Sequence, residues 1–340
     1  MANQTFRPGR HRSFLAIHWP LFGWLPLLGL IAWGCIRAPP IIMLGDWEIS
    51  ALFEGPARTA ATGFTIGRQA FVGTGSSQYD LLNDFWAYDQ THNTWVEKAS
   101  FPGPARWGGV GFAIGEKGYI GLGMDAQGNR LNDFYEYSLT TNQWRRIADF
   151  GGTARLSAIG FAMGAKGYVG LGDDLHNAKD LWAYDPDTDS WQQMATYTGP
   201  VRVGGVAIVI GTLAYIGTGS NQGENLKDWW AYDPVNDLWL RKHDFTIDQG
   251  PSIKGRDGVG FAINGKGYVC LSNNMDKSVW EYDPVTDLWG TRGVFEGRYR
   301  ADSFGFSLGT KGYITMGGTP SGSLYNDLFE FDPSVPQYIP

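Results

Sequence analysis

The chain of 340 residues holds 48 glycines, 15 tryptophans, 16 tyrosines and 19 phenylalanines, with glycine at roughly twice its usual share of about 7%. That much glycine excludes a helical bundle, and the aromatic content excludes a disordered chain. A net charge of −7, with no Lys/Arg run longer than two, excludes nucleic acid as a partner, and two isolated cysteines, Cys35 and Cys270, support neither a disulfide framework nor a structural zinc site.

Residues 1–12 form a basic region with Arg7, Arg10 and Arg12, expected to stay cytoplasmic. Ser13 to Ile36 follows as 24 residues without formal charge, long enough to span a bilayer as one hydrophobic helix. The remainder is then exported, to the periplasm or the cell surface. Three versions fit: a retained anchor, a cleaved signal peptide, or a lipoprotein signal ending at Cys35. The stretch Ile31-Ala-Trp-Gly-Cys35 resembles a lipobox in its Gly–Cys end and departs from one at Trp33, where a small residue is expected, and at Ala32. Residues 37–45 read as a linker.

From residue 46 to 338 one unit recurs six times with a period of about 47 to 50 residues. Its first landmark is an aromatic or apolar pair seven apart: Phe64/Phe71, Phe112/Tyr119, Phe161/Tyr168, Ile208/Tyr215, Phe261/Tyr268 and Phe306/Tyr313. Its second is a segment such as Asp84-Phe-Trp-Ala-Tyr-Asp89, followed seven residues on by Trp95, Trp144, Trp191, Trp239, Trp289 and, as the deviant, Tyr338. Each unit reads as four short strands separated by Gly-x-Lys-Gly and Asp-Pro-x-x-Asp turns. One such sheet cannot cover its own faces, but a radial stack can.

The glycine-rich second strand, the Tyr-Asp and the Trp at fixed offsets resemble kelch repeats, over essentially the whole chain after the N-terminal segment. The family's Gly-Gly doublet stands mostly as Gly-x-Gly here, as in Gly73-Thr-Gly75, with Gly317-Gly318 only in the last unit. The resemblance implies an all-β fold, a kelch-type β-propeller of six blades. Trp47 stands eleven residues before Arg58, the spacing that separates Trp95 from Arg106. Residues 46–50 are therefore expected to supply the outer strand of the sixth blade, with Tyr338 competing for that slot.

The turns between first and second strands and between third and fourth strands have constant length and share one face. The second-to-third-strand loops and the blade-to-blade connections vary in length and share the other, which is where binding residues are expected. The longest connection, Leu240 to Lys254, carries Arg241, Lys242, His243 and Asp244. Arg58, Arg106, Arg155, Arg202 and Arg300 begin first strands, a position from which kelch domains contact acidic partners. The alternative pairs each of them with the Asp that begins the third strand, Asp84, Asp133, Asp180, Asp228 or Asp327. The fifth unit has Gly255 and Ser278 in these two places.

Asp257 and Asp302 occupy one position in neighbouring blades, near Arg256, Arg300 and His243. A carboxylate pair there suits acid/base work on a sugar, cation binding, or simple pairing with the adjacent arginines. Some kelch propellers are copper radical oxidases or sialic-acid epimerases, but five histidines, of which His11 and His18 precede the repeats and His92 sits in a turn, do not make a copper site. Asp173, Asp174 and His176 read as a polar loop. The expectation is a monomeric, exported, membrane-associated propeller that binds a protein or a glycan, with no metal and no cofactor, the basic candidates being the five arginines with Arg256, Arg241 and His243. A carbohydrate epimerase or mutarotase using Asp257 and Asp302 is the alternative.

Overall fold

The computed structural model describes residues 41–176, 178–246, 255–270 and 277–339. The hydrophobic segment 13–36, Cys35, and the part of the long connection from 247 to 254 lie outside the described residues.

Six antiparallel sheets of four strands, with one small two-stranded hairpin, account for the strands of the described chain. In the first blade the strands run Thr62–Ile66, Gln69–Gly73, Phe85–Asp89 and Thr94–Glu97, in sequence order from the inside outwards. The inner strands of the next five blades are Val110–Ile114, Ile159–Met163, Val206–Ile210, Val259–Ile263 and Phe304–Leu308. Each inner strand touches that of the next blade, and the sixth touches the first, so the six close a ring around a central channel. Glycine allows this close approach. A Cβ on Gly160 would sit 2.2 Å from the Val110 side chain of the preceding blade, well inside contact distance.

Between blades, aromatic side chains fill the wedge. Phe134 meets Trp191 of the following blade at 5.0 Å and Trp229 meets Trp289 at 5.0 Å, both ring-centroid distances suited to tilted or edge-on pairs. The sheets therefore bury each other's faces, and the hydrophobic clusters run from one blade into the next.

The sixth blade joins the two ends of the described chain. Its outer strand is Ile41–Ile49, paired antiparallel with the long third strand Leu328–Ile339, with Trp47 opposite Phe331. Trp47 is buried against Phe331 and Phe295. The strand begins at Ile41, inside the stretch read as linker. A bulge of Pro333 to Val335 in the partner strand, opposite Gly45, lets it continue beyond the blade and pair Ile42 with Tyr338. Tyr338 is therefore exposed on a two-stranded ribbon, and Trp47 occupies the buried outer-strand position.

Candidate functional site

The five repeated arginines are almost completely buried, four at 0% exposure and Arg202 at 2%. Arg106 shows why. Its Nη1 donates to the Leu122 carbonyl at 2.9 Å and to Asp133 Oδ1 at 2.6 Å, its Nη2 to Asp133 Oδ2 at 2.8 Å, and its Nε to the Pro104 carbonyl at 3.0 Å. Phe101 lies against the guanidinium, 4.7 Å from ring centre to carbon. Arg58, Arg155 and Arg300 make the same forked pair with Asp84, Asp180 and Asp327. These guanidiniums brace inner strand to third strand within each blade, and none is presented to solvent.

In the fourth blade the brace is looser. Arg202 Nη2 donates both to Asp228 and to the Tyr197 hydroxyl, while Arg202 Nε and Asp228 Oδ1 find no partner among the described residues. In the fifth blade, with Gly255 and Ser278, no Arg–Asp brace forms among the described residues. Its trace is Trp280: the indoles of Trp86, Trp182 and Trp230 donate to the brace aspartates at 2.7 to 2.8 Å, but Trp280 Nε1 has no acceptor among the described residues.

Around the loop-face mouth of the channel runs a second closed structure. Ala60, Gly108, Ser157, Gly204, Asp257 and Asp302 each donate the backbone N–H to the carbonyl of the preceding member, and Ala60 donates to Asp302. All six have positive φ, between 51° and 65°. The left-handed backbone points successive amides around the ring, and four non-glycine residues hold it at a cost on the order of 1 kcal/mol each.

The ring places Asp257 and Asp302 side by side. Burial and then the Asp302 charge push the Asp257 carboxyl up to about 7, opposed by Arg256, whose Nε is 3.1 Å from Asp257 Oδ2. Asp302 is also raised by burial, which Arg256 opposes, while the residue keeps contact with solvent at the channel mouth. Arg256 is half-exposed and is the cation brought to the pair. Arg300, expected beside it, is spent on Asp327.

His243 lies elsewhere, in a clasp on the outer rim. Its N–H donates to Asp287 Oδ1 at 3.2 Å and its carbonyl accepts from Trp289 Nε1 at 3.4 Å. The same clasp joins Ala51 to Asn93 and Trp95, Ala99 to Asn142 and Trp144, Ala148 to Asp189 and Trp191, and Ala195 to Asp237 and Trp239. The fourth-strand tryptophans thus do more than fill space: with an Asx two residues earlier, each ties its blade to the preceding one. Arg241 is stacked on Trp230, 5.2 Å from the ring centre, and ion-paired with Asp244.

Among the described residues no group of three His, Cys, Asp or Glu is arranged to hold a metal. Asp173 pairs with Arg130 at 2.7 Å, and Asp174 accepts from Thr153 and from the N–H groups of His176 and Ala178. Cys270 is buried in a hydrophobic cluster of the fifth blade.

Two of the hollows among the described residues open on the loop face. One of about 790 Å³ lies between the loops of the first and sixth blades, lined by Pro56, Ser77, Tyr79, Asp80, Ser321 and Leu324 among others, with Tyr79 84% exposed. The other, about 310 Å³, lies between the third and fourth blades beside the small hairpin Ser220–Asn221/Glu224–Asn225, which among the described loops occurs in the fourth blade alone. Neither hollow was marked by the repeat pattern, because loops of ordinary length and polar composition give no periodic signal.

A family model described as the Kelch motif matches residues 118–151, which run from the second strand of the second blade to just past its outer strand. A search of curated proteins finds no match. Among the solved structures that match, the one described as "Structure of YjhT" superposes with a TM-score of 0.70 at 16% identity, covering 82% of this chain and 96% of that chain. At that identity the likeness is one of fold.

Proposed function

We propose that this chain, a six-bladed β-propeller whose residues 118–151 match the Kelch motif, is a binding module that meets a protein partner with its loop face and is tethered to a membrane by residues 13–36. The observation that carries this reading is the hollow between the first and sixth blades. It is open, large enough for several side chains, and rimmed by hydroxyls, the Asp80 carboxylate and the exposed Tyr79 ring. A tyrosine projecting from a polar rim gives a contact with large area and little entropy to lose. The repeated arginines, by contrast, are consumed inside the blades and leave recognition to the loops.

The test is a photo-crosslinking amino acid placed at Tyr79 of the full chain, with Thr91 on the opposite face as control. A discrete protein adduct from position 79 and none from position 91 is the expected result. Equal adducts from both positions would sink the reading, as would glycan binding by the full chain that survives Tyr79→Ala with no protein adduct at all.

A further inference from the structure

The propeller is not symmetric on its turn face. In the first five blades the turn between third and outer strands opens with an acidic or hydroxyl residue, and in the fourth and fifth blades it reads Asp-Pro-Val. Asp233 Oδ1 accepts the Val235 N–H and Asp283 Oδ1 the Val285 N–H, both at 2.9 Å. The carboxylates fold back into the turn, and the valines stand at its apex, 84% and 91% exposed. Leu238 and Leu288, also exposed, begin the outer strands beside them.

In the first three blades those two positions are polar: Thr91 and Thr94, Thr140 and Gln143, Asp187 and Ser190. Apolar residues at both positions in two adjacent blades, against polar residues at both in three others, make one contiguous sector of the turn face unlike the rest. In the sixth blade the matching position is Ser334, bound by Asp332, and the exposed apolar side chains stand beyond it, Val335 next to it and Ile42, Leu44 and Tyr338 on the ribbon past Gly45. Third strands end on the turn face, so this ribbon projects there, and Ile41 is where the described chain begins. Only four residues, Arg37-Ala-Pro-Pro40, separate Ile41 from the uncharged stretch ending at Ile36. Fully extended they reach about 18 Å at most.

We infer that the turn face of blades four to six rests on a lipid bilayer, with Val235, Val285 and the Ile42/Tyr338 ribbon seated at the headgroup boundary. The inference rests on the reading that residues 13–36 are inserted in that bilayer. The short connection brings the ribbon down to the membrane, and the apolar turn tips lie on the face the ribbon leaves from. Valine and leucine bury at the acyl boundary, and a tyrosine ring suits the headgroup level. The arrangement leaves the loop face turned outwards, towards a partner.

The experiment uses the full chain with Cys35→Ser in phosphatidylcholine/phosphatidylglycerol vesicles, labelled with an environment-sensitive fluorophore at one introduced cysteine, and a shallow spin-labelled lipid as quencher. Labels at Val235→Cys and Val285→Cys are expected to shift to the blue and lose emission to the quencher, while labels at Gln78→Cys and Ser321→Cys on the loop face do neither. A label at Leu30→Cys reports on the tether separately. Emission from positions 235 and 285 that ignores the quencher, with Leu30→Cys quenched, overturns the docking and leaves the tether standing. Emission at Leu30→Cys that ignores the quencher overturns the tether. Quenching at all four propeller positions overturns the orientation.

Discussion

Gln337 holds both backbone groups of Val294 across the seam between the fifth and sixth blades: its Oε1 accepts the Val294 N–H at 2.8 Å and its Nε2 donates to the Val294 carbonyl at 2.8 Å. At the other five seams the same pair of contacts takes two side chains, an Asx and a tryptophan. In the sixth blade Trp47 fills the outer-strand position but its Nε1 finds no acceptor among the described residues, and one buried amide, 3% exposed, takes both roles.

Gln337→Ala therefore strands a donor and an acceptor at a buried seam, at a cost of about 1–3 kcal/mol for each group. A loss of roughly 2–4 kcal/mol in urea denaturation is expected, against a change within about 0.5 kcal/mol for Tyr338→Ala on the exposed ribbon. Equal effects from the two substitutions would mean that the clasp contributes nothing.

The arginine braces lead to a second expectation. Arg106→Ala leaves the Asp133 carboxylate in a nearly closed site and should cost about 3–5 kcal/mol. Arg106→Met with Asp133→Leu removes both charges together and should cost clearly less than the single change. A double substitution at least as damaging as the single one, measured by the urea midpoint, would contradict the account of a brace whose loss matters through the charge left behind.

Closure of the ring depends on the strand Ile41–Ile49. Trp47→Ala empties a site enclosed by Phe295 and Phe331 and should destabilise by about 3–5 kcal/mol. Removing residues 46–50 altogether should lower the melting temperature further, since it exposes the third strand of the sixth blade. A melting temperature unchanged by the deletion would show that the blade closes without this strand.

Asp257 should make stability depend on pH in the direction opposite to most carboxylates. Its folded pKa, about 7, lies above its ordinary value, so the folded chain binds a proton that the unfolded chain releases between about pH 4 and 7. Stability from this group is complete below the ordinary carboxylate range and lost as pH rises through about 7. Asp257→Asn is expected to raise the melting temperature at pH 8 and to leave it nearly unchanged at pH 4. Water at the exposed Asp302 screens the pair, so the gain should be on the order of 1 kcal/mol, below the ~4 kcal/mol of a dry site. A gain of equal size at both pH values would remove the carboxylate repulsion as its cause.

The blade count, the four-strand order within each blade and the role of Trp47 were legible because each rests on a short-range pattern: aromatic pairs seven apart, and tryptophans eleven before an arginine. The braces were legible as one of two alternatives, through the joint replacement of Arg and Asp by Gly255 and Ser278. The signal for the apolar sector was also present, in Val235, Leu238, Val285 and Leu288 where earlier repeats have Thr, Gln, Asp or Ser, but a pattern sought for similarity passes over such positions. His243, expected near Asp257 and Asp302, instead has its backbone engaged by Asp287 and Trp289 on the outer rim.

By itself, then, the sequence determined the repeat, because strand alternation and turn chemistry act within about ten residues and are written in residue type. Only the tertiary structure decided how the repeats hold one another. The backbone ring through Asp257 and Asp302, the Gln337 clasp and the exposure of Val285 all depend on groups about 45 residues apart or on the absence of a covering neighbour. Such contacts are set by the angle and spacing of whole blades, quantities that no local pattern carries.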